Sequence, residues 1–160
     1  MRVLPKDPDL HLIVYCDGAA RGNPGPAGIG VVVKTASGRV LVRVAEGIGI
    51  ATNNVAEYRA AIEGFRRARG FGARSVLLRS DSKLLVEQLS GRFKVKNPML
   101  MRLHAEVRSL LGSFAQVRFE HVPREFNKEA DRLANDGVDE WIESGGDVGV
   151  GTEPDPSLFD

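Results

Sequence analysis

The stretch LHLIVYCDGAARGNPGPAGIG, residues 10–30, indicates how the fold begins. Its first part, LHLIVYC at 10–16, is a near-continuous apolar run, typical of a strand that is buried on both faces. A Gly/Pro-rich turn follows, and then two further strand-like segments, IGVVVKT at 29–35 and RVLVRVAEG at 39–47. The pattern predicts a three-stranded antiparallel meander, with the first strand in the centre of a sheet.

After residue 52 the hydrophobic period changes from that of strands to that of helices. We expect helices at about 53–70, 81–89, 98–111 and from Asn127 to about 142, and strands at 75–80 and 116–122. Strand–helix–strand crossovers are right-handed, so the strand at 75–80 should lie parallel to the first strand. The sequence therefore predicts an α/β protein whose five-stranded mixed sheet, with an antiparallel meander and two parallel strands, is flanked by helices.

Composition limits the functional classes. The 160 residues suit one domain, expected over 1–143, and the unpatterned tail 144–160 is expected to be disordered. With 42% hydrophobic residues and no apolar run near 18 residues, a membrane role is not expected. The absence of a secretory h-region and the single Cys16 favour the cytoplasm, and nothing requires more than a monomer. Because 22 cations face 21 anions, contacts with a polyanion require a local basic patch.

Four acidic residues have small or amide neighbours rather than balancing cations. They occur in YCDGAARGNPGPAGIG at 15–30, TNNVAEYRAAIEG at 52–64, LLRSDSKLLVEQL at 77–89 and HVPREFNKEADRLAN at 121–135, and they are Asp17, Glu57, Asp81 and Asp131. Asp17 and Asp81 are expected at the ends of the two parallel strands, where ligand sites of α/β sheets collect. Glu57 is followed at helical spacing by small residues, which would turn it towards the sheet.

Each acid alone also has a purely structural interpretation. Asp17-Gly18 is a common turn dipeptide, Glu57 is close to a capping-box position, Asp81 can cap a helix, and Asp131 suits a first helical turn. Their combination favours a site, because buried like charges require neutralisation by protons or by a cation. Ligands that are all oxygen atoms favour hard cations, Mg²⁺ or Mn²⁺.

The segments DGAARGNPGPAGIG, TNNVAE, SDSKLLVEQL and REFNKEADRLA resemble, in order, the motifs of type 1 ribonuclease H, ribonuclease HI. The resemblance covers about residues 10–143. It implies endonucleolytic hydrolysis of the RNA strand of an RNA–DNA hybrid, leaving 3′-hydroxyl and 5′-phosphate ends. It also implies that the four acids hold two Mg²⁺ or Mn²⁺ ions when substrate is bound. Asp17 is expected to bridge the ions because it lies on the central strand.

The resemblance extends to substrate contacts. It implies that Gly18, Asn23, Asn53 and Asn54 contact the nucleic acid, although turn formation and helix capping would also explain them. Ser82 and Lys83 follow the third acid at a helix start, where backbone N–H groups and a positive charge suit a phosphate.

Two regions differ from the best-known family members. Long-form relatives insert a basic helical protrusion where this chain has only GRFKVKN at 91–97, a compact segment in which Arg92, Lys94 and Lys96 are expected to bind phosphate or to be simply solvated. His121 roughly matches the family's loop histidine, a proton shuttle, but a structural role is an equal alternative. Arg124 and Lys128 are alternative contacts to phosphate or aids to product release.

Other functional classes remain open from the sequence. A non-catalytic module of the same fold could bind hybrid or double-stranded RNA, but it would be favoured only if one of the acids were missing. A transposase or integrase core, or a domain of a reverse transcriptase, is a third hypothesis. The complete set of helices and the TNNVAE motif favour a stand-alone nuclease over both. Whether double-stranded RNA is also cleaved is left open.

Overall fold

The computed structural model describes residues 7–146 and forms one α/β unit around a five-stranded sheet. In chain order the elements are β1 (His11–Ala20), β2 (Gly25–Thr35), β3 (Val40–Ala51), α1 (Asn53–Gly70), β4 (Ser75–Ser80), α2 (Lys83–Leu89), α3 (Pro98–Leu111), β5 (Gln116–His121), a 3₁₀ turn (Arg124–Phe126) and α4 (Lys128–Glu143). None of the helices in this part of the chain has the length and apolar character needed to cross a membrane.

The sheet has the order β3-β2-β1-β4-β5, which confirms the predicted fold class. β1, β2 and β3 pair antiparallel, whereas β4 pairs parallel to β1 and β5 pairs parallel to β4. α1 packs on one face of the central strands and α4 on the other. Because helices cover both faces of the sheet, β1 is buried on both sides, which explains its near-continuous apolar sequence.

Glycines allow α4 to lie very close to the sheet. A Cβ atom on Gly30 of β2 would lie 2.0 Å from the carbonyl oxygen of Ala130, and one on Gly28 would lie 2.4 Å from that of Ala134. In return, a Cβ atom on Gly137 of α4 would lie 2.5 Å from the carbonyl oxygen of Glu46 in β3. The backbones therefore meet directly, and the first turns of α4 are held at a fixed height above β2.

The strands are longer than the sequence suggests. β1 continues through Asp17 to Ala20, because it stays paired with β2 after its parallel pairing with β4 has ended at Tyr15 and Arg79. Asp17 therefore lies inside β1, not at its end as expected, and the Gly/Pro-rich turn shrinks to residues 21–24. Asp81 does follow the last residue of β4.

Details of the helices also differ from expectation. α2 begins at Lys83, and its N-cap is Ser82 rather than Ser80 or Asp81. Asn127 precedes α4 but makes no side-chain capping bond, in contrast to the predicted cap. The period of the apolar residues in α1 also places Arg69 on their face of the helix, but in the structure Arg69 is exposed at the end of α1. The tail predicted to be disordered lies outside the described residues from 147 onwards.

Candidate active site

A polar cleft of about 430 Å³ opens at the end of the sheet where β4 stops and β1 continues alone with β2. It is lined by residues from β1, α1, the β4–α2 junction, the 3₁₀ turn and α4, and these are Asp17, Gly18, Ala19, Ala20, Asn53, Glu57, Asp81, Arg124, Asp131 and Asn135. The fold thus brings into one cleft the four acids that the sequence singles out.

Three of the acids form a compact group. Asp17, Glu57 and Asp81 each offer one carboxylate oxygen, and these oxygens all lie within 4.8 Å of one another. Asp17 is fixed by the pairing of β1 with β2, and Glu57 by the first turn of α1, whose N-cap Thr52 accepts a hydrogen bond from Val55 N at 3.2 Å. Asp81 is fixed by the end of β4.

The electrostatics of this group favour a bound cation. Burial raises the pKa of Asp17 to about 8, with the charge of Asp81 as the next cause, while contact with Glu57 acts in the opposite direction. Burial, followed by the charges of Asp17 and Asp81, raises the pKa of Glu57 well above its usual range. Glu57 Oε2 is buried and has no hydrogen-bond partner within residues 7–146. An unpartnered carboxylate oxygen in an all-oxygen group fits a hard divalent cation.

Asp131 lies on the flank of the group. Its carboxyl group is within hydrogen-bond reach of Asp17 and raises the pKa of Asp17, as does the Asp131 charge. On its outer side, Asp131 Oδ1 lies 4.0 Å from an Nη of Arg124. Asp17 is therefore influenced by both Glu57 and Asp131.

The predicted substrate residues near the first strand mostly serve the local structure as well. Asn53 Oδ1 accepts a hydrogen bond from Ala20 N at 3.1 Å, and Asn23 Oδ1 accepts one from Asn53 N at 3.0 Å. These bonds tie the loop after β1 to the start of α1, so contacts to a substrate would use the Nδ2 groups. Asn54 is exposed on the first turn of α1.

Gly18 is required by packing. A Cβ atom at this position would lie 2.3 Å from the backbone of Ala56 and of Glu57. The backbone of α1 can therefore touch β1 only because residue 18 is glycine. This close approach also brings Glu57 beside Asp17.

Ser82 and Lys83 lie at the start of α2, as the sequence indicates. Ser82 Oγ accepts a hydrogen bond from Leu85 N at 3.2 Å, so this side chain caps α2, a role that was not predicted for it. Lys83 is exposed on the first residue of the helix.

His121 and Arg124 differ in placement. His121 is exposed at the end of β5 and is not among the residues that line the cleft. Arg124 lines the cleft. Burial raises the pKa of Asp81 overall, and the charge of Arg124 is the largest effect that opposes this rise, whereas His121 has a smaller effect in the same direction as Arg124.

The basic segment 91–97 is compact, and hydrogen bonds to side chains of α2 hold it in place. Arg92 forms two hydrogen bonds with the carboxylate of Glu87, at 2.6 and 3.1 Å, and is therefore already paired on the protein surface. The carbonyl oxygen of Lys94 accepts a hydrogen bond from Gln88 Nε2 at 3.3 Å. The side chains of Lys94 and Lys96 are exposed, as phosphate binding would require.

Asn135 also lines the cleft, although it was not among the residues predicted from the sequence. Its Nδ2 donates to the carbonyl oxygen of Asp131 at 3.0 Å and approaches Asp131 Oδ1 at 3.4 Å. Arg21 donates to Asn135 Oδ1 at 3.4 Å and forms an ion pair of 2.6 Å with Asp139. The only signal in the sequence was helical spacing, because Asn135 follows Asp131 by four residues on the same face.

Fold and cleft define the class of the protein: an α/β protein of the ribonuclease H-like fold with an acidic site at the end of its central strands. The family model described as "Reverse transcriptase-like" matches residues 15–137. The chain belongs to the type 1 ribonuclease H family, in a compact form in which only a short segment joins α2 and α3.

Several relatives are similar over most of the chain. Ribonuclease HI of Halobacterium salinarum is 43% identical over 86% of this chain and 69% of its own length, and a crystal structure of RNase H1 from that archaeon gives a TM-score of 0.79. LC11-RNase H1, solved in complex with an RNA/DNA hybrid, is 41% identical with a TM-score of 0.78, covering 82% of this chain and 99% of that one.

A third relative is longer than this chain. The bifunctional protein Rv2228c of Mycobacterium tuberculosis is 48% identical over 84% of this chain. The matched region spans 37% of the length of that protein.

Proposed function

We propose that this protein is a metal-dependent endoribonuclease that hydrolyses the RNA strand of RNA–DNA hybrids and leaves 3′-hydroxyl and 5′-phosphate ends. The observation that carries the proposal is the group of Asp17, Glu57 and Asp81 oxygens within 4.8 Å of one another. Family membership supports it, since LC11-RNase H1 binds an RNA/DNA hybrid with the same fold.

The cofactor is proposed to be Mg²⁺, with Mn²⁺ as a substitute. Two ions held by these acids together with the substrate would supply Lewis-acid chemistry, which would lower the pKa of an attacking water and stabilise the leaving 3′ oxygen. Asp17 is the proposed shared ligand because it contacts both Glu57 and Asp131. Glu57, Asp81 and Asp131 complete the ligand set around it.

Other residues of the chain are proposed to bind and orient the hybrid. Arg124 has an exposed guanidinium group at the rim of the cleft, where it can contact a phosphate beside Asp131. The amide groups of Asn23, Asn53 and Asn54, with the backbone at Gly18, border the RNA strand and offer hydrogen bonds to 2′-hydroxyl groups. Lys83, Lys94 and Lys96 are proposed to contact phosphates further along the duplex.

Cleavage of labelled substrates tests the proposal. The protein is incubated with RNA–DNA hybrid, double-stranded RNA and double-stranded DNA in Mg²⁺, in Mn²⁺ and in EDTA. We expect cleavage of the hybrid RNA strand, with 3′-hydroxyl ends, and loss of cleavage in EDTA and in Asp81→Asn. The matched control is Asp136→Asn, which removes an exposed carboxylate of α4 outside the cleft and should retain activity.

The same experiment separates the alternatives. Binding of the hybrid without cleavage in either metal would instead identify a non-catalytic binding module. Equal cleavage in EDTA, or by Asp81→Asn, would contradict the metal-dependent mechanism. Cleavage of double-stranded RNA would widen the substrate class without changing the site.

A further inference from the structure

Asn127 has contacts that a helix cap does not need. It precedes α4, but its side chain makes no capping hydrogen bond, and the residue is only 1% exposed. By comparison, Asn97 at the start of α3 caps its helix in the usual way, because its Oδ1 accepts a hydrogen bond from Leu100 N at 3.0 Å. The side chain of Asn127 is therefore directed elsewhere.

The contacts of Asn127 reach three of the four acids. Its Nδ2 donates to the carbonyl oxygen of Cys16 at 3.0 Å, on the residue that precedes Asp17 in β1. The same side chain lies close enough to Asp81 to lower the pKa of that carboxyl group against the effect of burial. Its backbone carbonyl oxygen accepts a hydrogen bond from Asp131 N at 3.1 Å in the first turn of α4.

Only the donor half of this amide is used. Asn127 Oδ1 is buried and has no hydrogen-bond partner among the described residues. Leaving a buried acceptor unpaired costs on the order of 1–3 kcal/mol, so this side chain is a poor choice for stability alone. Its Nδ2 group, in contrast, offers two N–H donors: it donates to the Cys16 carbonyl, and it lies near the Asp81 carboxylate, whose pKa it lowers.

We propose that Asn127 is a positioning residue that sets the separation of Asp17, Asp81 and Asp131 for cation binding. The inference rests on the proposed metal site and deepens it. Residues that hold metal ligands through hydrogen bonds commonly affect metal affinity by about 10- to 100-fold. Asn127 acts through β1, the end of β4 and α4 together, which no single ligand does.

Two substitutions distinguish positioning from capping. Serine caps a helix about as well as asparagine, whereas alanine does not. Neither serine nor alanine can reach both Cys16 and Asp81 with N–H donors. If Asn127 positions the acids, Asn127→Ser and Asn127→Ala should weaken cation binding to the same extent. If Asn127 serves only the stability of the fold, both variants should lower the melting temperature and leave the Mn²⁺ affinity unchanged.

The measurement uses the full chain without nucleic acid. Mn²⁺ affinity is determined by calorimetry or by the electron paramagnetic resonance of free Mn²⁺, and the melting temperature is recorded separately in EDTA. We expect both Asn127 variants to bind Mn²⁺ at least about tenfold more weakly. The matched controls Asn97→Ser and Asn97→Ala should keep the full Mn²⁺ affinity, and only the alanine variant should melt earlier.

The inference is overturned if Asn127→Ser binds Mn²⁺ like the unsubstituted protein, or if both Asn127 variants fail to fold. Its failure can be separated from that of the proposed function. Absence of Mn²⁺ binding by the unsubstituted protein would overturn the metal site and this inference together. Mn²⁺ binding without hydrolysis of the hybrid would overturn only the proposed activity.

Discussion

Asp17 is buried beside other carboxyl groups, and its ionisation opposes folding when no cation is present. Burial and the Asp81 charge raise its pKa from 3.8 to about 8. Between these two values the folded protein binds more protons at Asp17 than the unfolded chain does. The stability that protonation of Asp17 contributes is therefore complete below about pH 4 and is lost as the pH rises through about 8.

Replacing Asp17 by asparagine should remove this pH dependence. In EDTA we expect the melting temperature of the unsubstituted protein to fall from pH 5 to pH 8, and that of Asp17→Asn to fall less. At pH 8 the variant should be the more stable protein, by at least about 1 kcal/mol or a few °C. Thermal unfolding followed by circular dichroism measures this, with Asp136→Asn as control. Identical pH profiles for Asp17→Asn and the unsubstituted protein would contradict the expectation.

We expect different effects on kcat from substitution of Arg124 and of His121, because of these two residues only Arg124 lines the cleft. Arg124→Ala should lower kcat on RNA–DNA hybrid by about tenfold or more, because it removes the positive charge nearest to Asp131 and beside Asp81. His121→Ala should change kcat by less than about threefold, since the imidazole is exposed outside the cleft. Steady-state kinetics decide, and Arg124→Lys, which keeps the charge, should recover part of the loss. A larger loss in His121→Ala would restore the histidine as the proton shuttle.

At this scale the sequence predicted the residues that carry charge but not those that hold them. The four acids stood out because each lies at a predicted junction or helix start, in a segment that resembles a motif of the family. The role of Asn127 was missed, because its partners Cys16 and Asp81 become neighbours only in the folded sheet. The same is true of Asn135, whose partner Arg21 comes from the loop after β1.

Among the elements, the position of α4 depends on glycines in the strands beneath it, because side chains there would clash with the backbone of the helix. A methyl group at Gly30 would meet the carbonyl oxygen of Ala130 at 2.0 Å, and backbone cannot yield as a flexible side chain can. The substitution should therefore lift the first turn of α4, which also carries Asp131.

We expect Gly30→Ala to destabilise the protein by about 1–3 kcal/mol and to lower hydrolytic activity. Urea denaturation measures the stability, and an unchanged m value would show that the unfolded state is unaffected. Gly70→Ala is the matched control, because a Cβ atom at the last residue of α1 meets nothing within 4 Å. Equal stability of the two variants would show that α4 can shift without cost.

The basic segment between α2 and α3 gives a second prediction for the elements. Lys94→Gln together with Lys96→Gln should weaken hybrid binding by about tenfold at low salt, because two phosphate contacts are lost. Arg92→Gln should weaken it less, since Arg92 already pairs with Glu87. The two affinities are measured by fluorescence anisotropy with labelled hybrid, and all variants carry Asp81→Asn as background. A larger effect of Arg92 would mean that its ion pair opens on binding.

The elements themselves were largely predictable, and their ends were not. Helical periodicity placed α1 and α3 correctly, because the apolar face of α1 packs on the sheet and that of α3 packs on α1. β1 and β2 extend further into the Gly/Pro-rich stretch than the pattern indicates, because their length is set by mutual pairing, with Ala20 opposite Ala27. The local sequence of a strand does not show how far a partner strand will pair with it.

For the molecule as a whole, topology turns separate segments into one site. Right-handed connection of β1 and β4 was predictable from general rules, and it brings Asp17 and Asp81 together. The position of α4 across β1, β2 and β3 was not predictable from periodicity alone, because it depends on glycines in two strands and one helix. The site is thus encoded partly by acids and partly by the small residues that allow close packing.

The charge of the whole molecule leads to a final prediction. With 22 cations and 21 anions there is no overall field to attract a polyanion, so hybrid binding depends on the few cations at the cleft and on the segment 91–97. We expect log K to fall with log[salt] with a slope of no more than about −4, as four phosphate contacts would give. Anisotropy titrations of Asp81→Asn in increasing NaCl measure the slope.

A matched variant locates the charges that determine this slope. α1 starts at the cleft and extends 18 residues, so its exposed Arg69 lies at the far end of the helix, about 25 Å away. Arg69→Gln should leave the slope unchanged, whereas the double variant of Lys94 and Lys96 should reduce it by about 2, which is close to 0.9 per lost contact. A slope much steeper than −4, or one that Arg69→Gln reduces, would mean that the hybrid extends over a larger basic surface than the cleft and this segment provide.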